Sequence, residues 1–189
     1  MATVAELVED IAEILSEKPE TVNAYARALI DSGDLPKSRG RSIAQVDYRH
    51  IVKLFMAVIL SPKIKETAES VEEYYNMRRP GVGPDFPSRL QDRAGGQLCD
   101  FVQVIHAPDG KKEEALRRKL VDSKIVFTIN WPEIEFDFGH GKLMRFKEGG
   151  NSSFWEGYHR RCVILSGRAF LMLGAGKGRD YVVWESAEE

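Results

Sequence analysis

The chain has 189 residues, enough for one large or two small domains. An apolar fraction of 43% and a charged fraction of 30% are those of an ordinary globular protein, not of a disordered or fibrous one. Lys and Arg number 27 against 29 Asp and Glu, a net charge of −2, so a polybasic packaging protein is excluded and any nucleic-acid contact must come from a local basic patch. The two cysteines, Cys99 and Cys162, show neither a CxxC nor a metal-ligand spacing. Both are expected as reduced thiols, with Cys162 in a core strand formed by the Val163-Ile164-Leu165 run. The acidic amphipathic start lacks the basic and apolar regions of a signal peptide, and the longest apolar run, Leu54 to Leu60, is too short to span a bilayer. A cytoplasmic protein with no membrane contact is expected.

Val4, Leu7, Val8, Ile11, Ile14 and Leu15 recur at helical spacing, with Glu6, Glu9, Asp10 and Glu13 opposite. Thr3 followed by Glu6 is a capping box for this helix. A second helix opens at Pro19, which suits a first turn because its missing N–H has no intrahelical partner there. Val22, Ala26, Leu29 and Ile30 form its apolar stripe; Thr21, Asn23, Ala24, Arg27 and Ala28 lie on the other face, and Tyr25 is at the border. Gly33 ends it. Residues 34–46 hold a proline and a glycine and read as two short strands or an irregular hairpin around Arg39-Gly40-Arg41. Asp47 caps a third helix with Ile51, Leu54, Phe55, Val58 and Ile59 at core spacing. A fourth runs from about Ile64 to Tyr75 and exposes Glu66, Glu69, Glu72 and Glu73.

Residues 79–97 contain three prolines and four glycines, which argues for a linker between a unit at 1–78 and another at 98–189. Past this break the period changes. Strands are expected at Phe101–Ile105 and Ile125–Ile129, with a hairpin from Glu133–Phe138 through Gly139-His140-Gly141 to Leu143–Phe146 and a further strand over Tyr158–Leu165. Short helices are expected at Glu113–Val121 and Arg168–Leu173. Tyr181–Trp184 reads as a last strand or a docking tail. The fold class is therefore α+β: a helical N-terminal part followed by a β-rich C-terminal domain with short helices.

Chemistry concentrates in the first part. From Lys37 to Lys53 there are five basic residues and one acid, an electrostatic footprint that would suit a DNA-facing surface. Thr21, Asn23, Ala24 and Arg27 are small or polar; small residues let a helix approach base edges, Asn pairs with adenine and Arg with guanine. The Thr21-Val22-Asn23-Ala24-Tyr25 opening, the Gly33-Asp34-Leu35-Pro36 exit, the Arg-Gly-Arg loop and Asp47–Leu54 together resemble the N-terminal module of MerR-type regulators, a winged helix-turn-helix class. The layout is also similar to small regulators carried by phages and prophages. The resemblance covers roughly residues 4–60. It implies a helix 19–32 in the major groove, with Thr21, Asn23, Ala24, Tyr25 and Arg27 at the groove. Lys37, Arg39 and Arg41 would form a basic wing on the backbone, with Arg49 and Lys53 behind it. It further implies a transcription regulator on double-stranded DNA, acting as a homodimer whose C-terminal domain mediates self-association or partner contact. The alternatives are a DNA-recognition subunit of a phage-type assembly, like a terminase small subunit, and a protein-interaction module that binds no DNA.

The second half holds no assembled catalytic signature. Gly174-Ala175-Gly176-Lys177-Gly178 lacks both the earlier glycine and the Ser or Thr of a P-loop. His106, His140 and His159 are scattered, and Glu133, Glu135 and Asp137 read as the solvent face of a strand. Phe154-Trp155 and Trp184-Glu185 read as core edges or partner anchors. No enzyme activity, cofactor or metal is expected.

Overall fold

The structure, a computed structural model, describes residues 2–38, 44–81, 93–105, 111–147 and 160–175. Its chain order is α1 (Val4–Leu15), α2 (Pro19–Ser32), α3 (Tyr48–Leu60), a 3-10 turn (Ile64–Glu66), α4 (Thr67–Asn76), α5 (Ala94–Gln103), α6 (Lys111–Val121), β1 (Lys124–Thr128), β2 (Glu133–Asp137), β3 (Leu143–Lys147), β4 (Cys162–Ser166) and α7 (Arg168–Ala175). The fold is α+β, with the helices mostly N-terminal and one four-stranded antiparallel sheet in the order β3-β2-β1-β4.

Local chemistry explains the helix ends. Thr3 Oγ1 accepts from the Glu6 amide at 3.3 Å while Glu6 Oε2 accepts from the Thr3 amide at 2.9 Å, so two otherwise orphaned donors are satisfied at the start of α1. Gly33 closes α2 at φ +88°, a conformation that costs glycine little. Asp47 caps α3 reciprocally with His50. From Ile51 to Leu60 every α3 side chain except Lys53 is buried. A helix apolar on nearly all sides belongs at a centre, and α3 packs against α2, α4 and α5.

The sheet alternates as a half-buried antiparallel sheet should. Ile125, Phe127, Ile134, Phe136 and Phe146 are buried against the helices, while Arg145 pairs with Glu135 at 2.5 Å on the outer face. The chain turns between β2 and β3 at Gly139-His140-Gly141, as the sequence predicts, and all three take positive φ.

Two expectations are corrected. Phe101–Gln103 belong to a helix, not a strand, and the helix begins at Ala94, inside the expected linker. Ala94, Leu98, Phe101 and Val102 fall at helical spacing and are buried. Gly95 is there for packing: a Cβ at that position would collide with the Tyr75 ring. The strands or irregular hairpin expected around Arg39-Gly40-Arg41 lie largely outside the described residues; among the described residues of 34–46, Gln45 makes an isolated bridge to Thr3. Cys162 is exposed rather than in the core, because β4 is an edge strand and Cys162 lies on its outer face; its Sγ is 3.6 Å from Thr128 Oγ1. Tyr181–Trp184 and Phe154-Trp155 lie outside the described residues.

Side chains from both sides of the 79–97 break share one core. Phe170 of α7 meets Phe55 of α3 edge-on, with ring centroids 5.2 Å apart, and Tyr74 of α4 donates to the Thr128 carbonyl at 2.5 Å. Close approach also fixes Gly174 in α7, where a Cβ would strike the Val102 carbonyl.

This shared core sets an expectation. Phe170→Ala should destabilise the chain by about 3–5 kcal/mol and lower amide-exchange protection in α3 as well as in α7. Unchanged protection of α3 would show that the two parts unfold independently.

Candidate nucleic-acid interface

The face of α2 that the sequence nominates is divided by the fold. Val22, Tyr25, Ala26 and Leu29 are buried toward α1, α3 and α4. Thr21 and Arg27 are exposed, and Asn23 and Ala24 are partly so. Tyr25 is only 7% exposed, and its hydroxyl donates to the Pro62 carbonyl at 3.2 Å. It is therefore a core residue that ties α2 to the end of α3, and cannot lie flat on a groove. The outward stripe at helical spacing is Glu20, Ala24, Arg27 and Asp31. Sequence reasoning missed the two carboxylates on it, although the 3.6-residue period places them there.

The loop after α2 is fixed at both ends. Asp34 and Leu35 amides donate to the Leu29 carbonyl at 2.8 and 3.0 Å, which turns the chain off the helix. Further on, the Ala44 amide donates to Ser38 Oγ at 3.1 Å. Gln45 bridges Thr3, and the Val46 amide donates to the Ala2 carbonyl at 3.1 Å. The stem is thus pinned to the strand-like start of α1, with a capping box on each side. Lys37 is exposed. Arg39 and Arg41 lie outside the described residues.

Lys53 is not a phosphate-facing cation. Its Nζ donates to Asp34 Oδ1 at 2.6 Å and to Glu72 Oε2 at 3.1 Å, and sits 5.3 Å from the Tyr75 ring centroid. Burial disfavours its charge, but the bonds to Asp34 and Glu72 outweigh this and raise its pKa. Asp34 is correspondingly held below the usual carboxylate range: burial pushes it up, and hydrogen bonds from Lys53 and Ser32 more than reverse that. The Lys53 ammonium joins α3 to the end of α2 and to α4, through partners far apart in sequence. Arg49 is exposed on the first turn of α3, 3.4 Å from Asp47.

His50 Nδ1 stands 3.0 Å from the Asp47 amide and 2.9 Å from Asp47 Oδ1. A neutral ring accepts from the amide there, whereas a proton on Nδ1 donates to the carboxylate instead. Burial raises the Asp47 pKa, yet the His50 side chain and amide, with Arg49 nearby, bring it down to about 2.

Elsewhere the described residues offer little reactive chemistry. Burial pushes the Cys99 thiol up to about 11, so it is a neutral packing group beside Tyr75. Glu133 and Glu135 face Arg145, and Glu133 also faces Arg160. Among the described residues no three His, Cys, Asp or Glu side chains gather as a metal site requires, and no helix is long and apolar enough to cross a membrane.

No protein-family model matches the chain, and neither does any curated protein or solved structure.

Asp47 gives a pH signature. Its folded pKa lies below the unfolded value of about 3.9, so its contribution to stability is complete above pH ~4 and fades as pH falls toward 2. Asp47→Ala should cost about 1 kcal/mol at neutral pH by removing the cap. The gap between variant and wild-type urea midpoints should close on acidification; a gap that stays constant down to pH 2 would refute the assignment.

Proposed function

We propose that this chain is a sequence-reading DNA-binding protein of winged helix-turn-helix type, acting in transcription regulation as a dimer on double-stranded DNA. One observation carries the reading: a basic loop whose stem is clamped to the start of α1 follows directly on a helix with exposed Thr21 and Arg27. A helix entering a groove needs a partner that grips the flanking phosphates, and a basic loop held at its stem suits that role. Thr21 and Arg27, with the partly exposed Asn23 and Ala24, offer the base-facing groups. Arg27, Lys37, Arg39 and Arg41 offer the cations, and Lys18, exposed just before α2, adds one more. Arg49 contributes from the start of α3, while Lys53 and Tyr25 hold the helices in place.

Fluorescence anisotropy against the upstream duplex and a scrambled duplex, across a salt series, tests this. Wild type should prefer the native duplex. Arg39→Ala/Arg41→Ala should lower the salt slope by about one for each phosphate no longer neutralised, and Arg27→Ala should erode the preference. Lys53→Ala should leave the slope unchanged while lowering stability by roughly 1–3 kcal/mol, because two carboxylates are left without their cation.

A second reading, a protein-interaction module, draws on Glu20 and Asp31, which place negative charge on the outward stripe of α2. The same assay separates the two. Under the DNA reading, Glu20→Gln/Asp31→Asn tightens duplex binding; absence of wild-type binding at low salt selects the interaction module.

A further inference from the structure

Two capping boxes stand side by side where the chain returns from the basic loop. At the start of α1 the Glu6 carboxylate accepts from the Thr3 amide at 2.9 Å. At the start of α3 an imidazole takes the same place: His50 Nδ1 lies 3.0 Å from the Asp47 amide. The two starts are joined, since Gln45 bridges Thr3 and the Val46 amide donates to the Ala2 carbonyl. The third helical residue of a capping box is ordinarily Glu or Gln, and both remain acceptors at neutral pH. Imidazole is the side chain whose ordinary titration falls between about pH 5 and pH 8, and a ring nitrogen that takes a proton stops accepting.

The bond that would replace the lost one is already in place. His50 Nδ1 is also 2.9 Å from Asp47 Oδ1. One nitrogen thus has two partners and serves one at a time. Neutral, with its proton on Nε2, the ring accepts from the Asp47 N–H. Protonated at Nδ1, it donates to the carboxylate and no longer accepts from that N–H. The side chain is 23% exposed, which gives protons access to it. Asp47 is where the chain coming from the loop enters α3, so the exchanged bond is the one that fastens the loop's exit to the helix.

Charged and titratable groups surround the ring from every element packed on this end of α3. Asp47, Arg49 and Lys53 belong to α3 itself. Asp34, at the end of α2, feels the charge of His50. From α4, Glu72 reaches Lys53, and the Tyr75 hydroxyl feels Asp47 and Arg49. From α5, the Cys99 thiol feels the same two residues and its neighbour Asp100. The N-terminal end of α3 adds its own positive field, which opposes a cation on the first turn.

We infer that His50 is a proton-operated latch on the basic loop: neutral, it fastens the loop's exit to the start of α3 through the Asp47 amide, and protonated, it lets that amide go. The latch belongs to the fold and does not depend on what the loop binds. Amide exchange of the full chain, followed by NMR across a pH series and corrected for the intrinsic rate, tests it. From about pH 8 to about pH 5.5, protection of the Asp47 amide should fall by about fivefold, the loss of one hydrogen bond. The midpoint should match that of the His50 ring resonances in the same samples. The Thr3 amide, held by Glu6, should keep its protection over this range. His50→Gln, which retains an acceptor and takes no proton, should keep the Asp47 amide at its high-pH protection throughout. Constant protection in wild type would overturn the proposal. So would a fall that persists in His50→Gln, one whose midpoint departs from that of the ring, or one shared equally by Thr3.

Discussion

Phe101 stands where the helices meet the sheet. Its ring lies edge-on to Phe136 of β2 at 5.4 Å, to Phe138 at 6.0 Å and to Phe170 of α7 at 6.4 Å, and Phe170 in turn meets Phe55 of α3. Such pairs add to the burial of large apolar rings. This one line of aromatics couples the centre of the helical part to the inner face of the sheet. The position of α3, and with it the support beneath α2 and its loop, therefore depends on residues more than a hundred positions away.

Polar links reinforce the same frame at its rim. Lys53 binds α3 to Asp34 and Glu72, so the turn leaving α2 and the flank of α4 are held by one cation. Tyr74 reaches from α4 to the backbone of β1, and the Arg78 carbonyl accepts from the Lys147 amide at 3.0 Å. These bonds join elements that the chain visits far apart.

Much of the local structure could be read from sequence because its causes are local. Thr3 with Glu6, Asp47 before an apolar-periodic run, Gly33 after one, and the alternation from Glu133 to Asp137 each specify their element within a few residues. Sequence reasoning fails where a distant partner decides. Gly95 and Gly96 look like a linker until Tyr75 is seen packed on the first of them. Phe101-Val102 looks like strand because β-branched and aromatic residues favour strands, yet burial against α3 selects a helix. Lys53 reads as one more basic residue near a DNA-facing loop until Asp34 and Glu72 are found beside it. Tyr25 looks like a border residue until its hydroxyl is seen on the Pro62 carbonyl.

Charge placement then narrows how this surface can bind. Among the described residues near α2, Lys18, Arg27, Lys37 and Arg49 are exposed cations, whereas Lys53 is engaged by Asp34 and Glu72. The α2 stripe that holds Arg27 also holds Glu20 and Asp31, so the helix alone attracts a polyanion weakly. Under the proposed DNA reading, affinity would reside in the loop and discrimination in the helix. Carboxylates on a groove-facing helix tolerate few geometries beside phosphate, so they penalise any register in which the loop is not seated. Under the same proposed reading, the acids on α2 would suppress binding by the helix alone and make recognition conditional on the helix and the basic loop docking together.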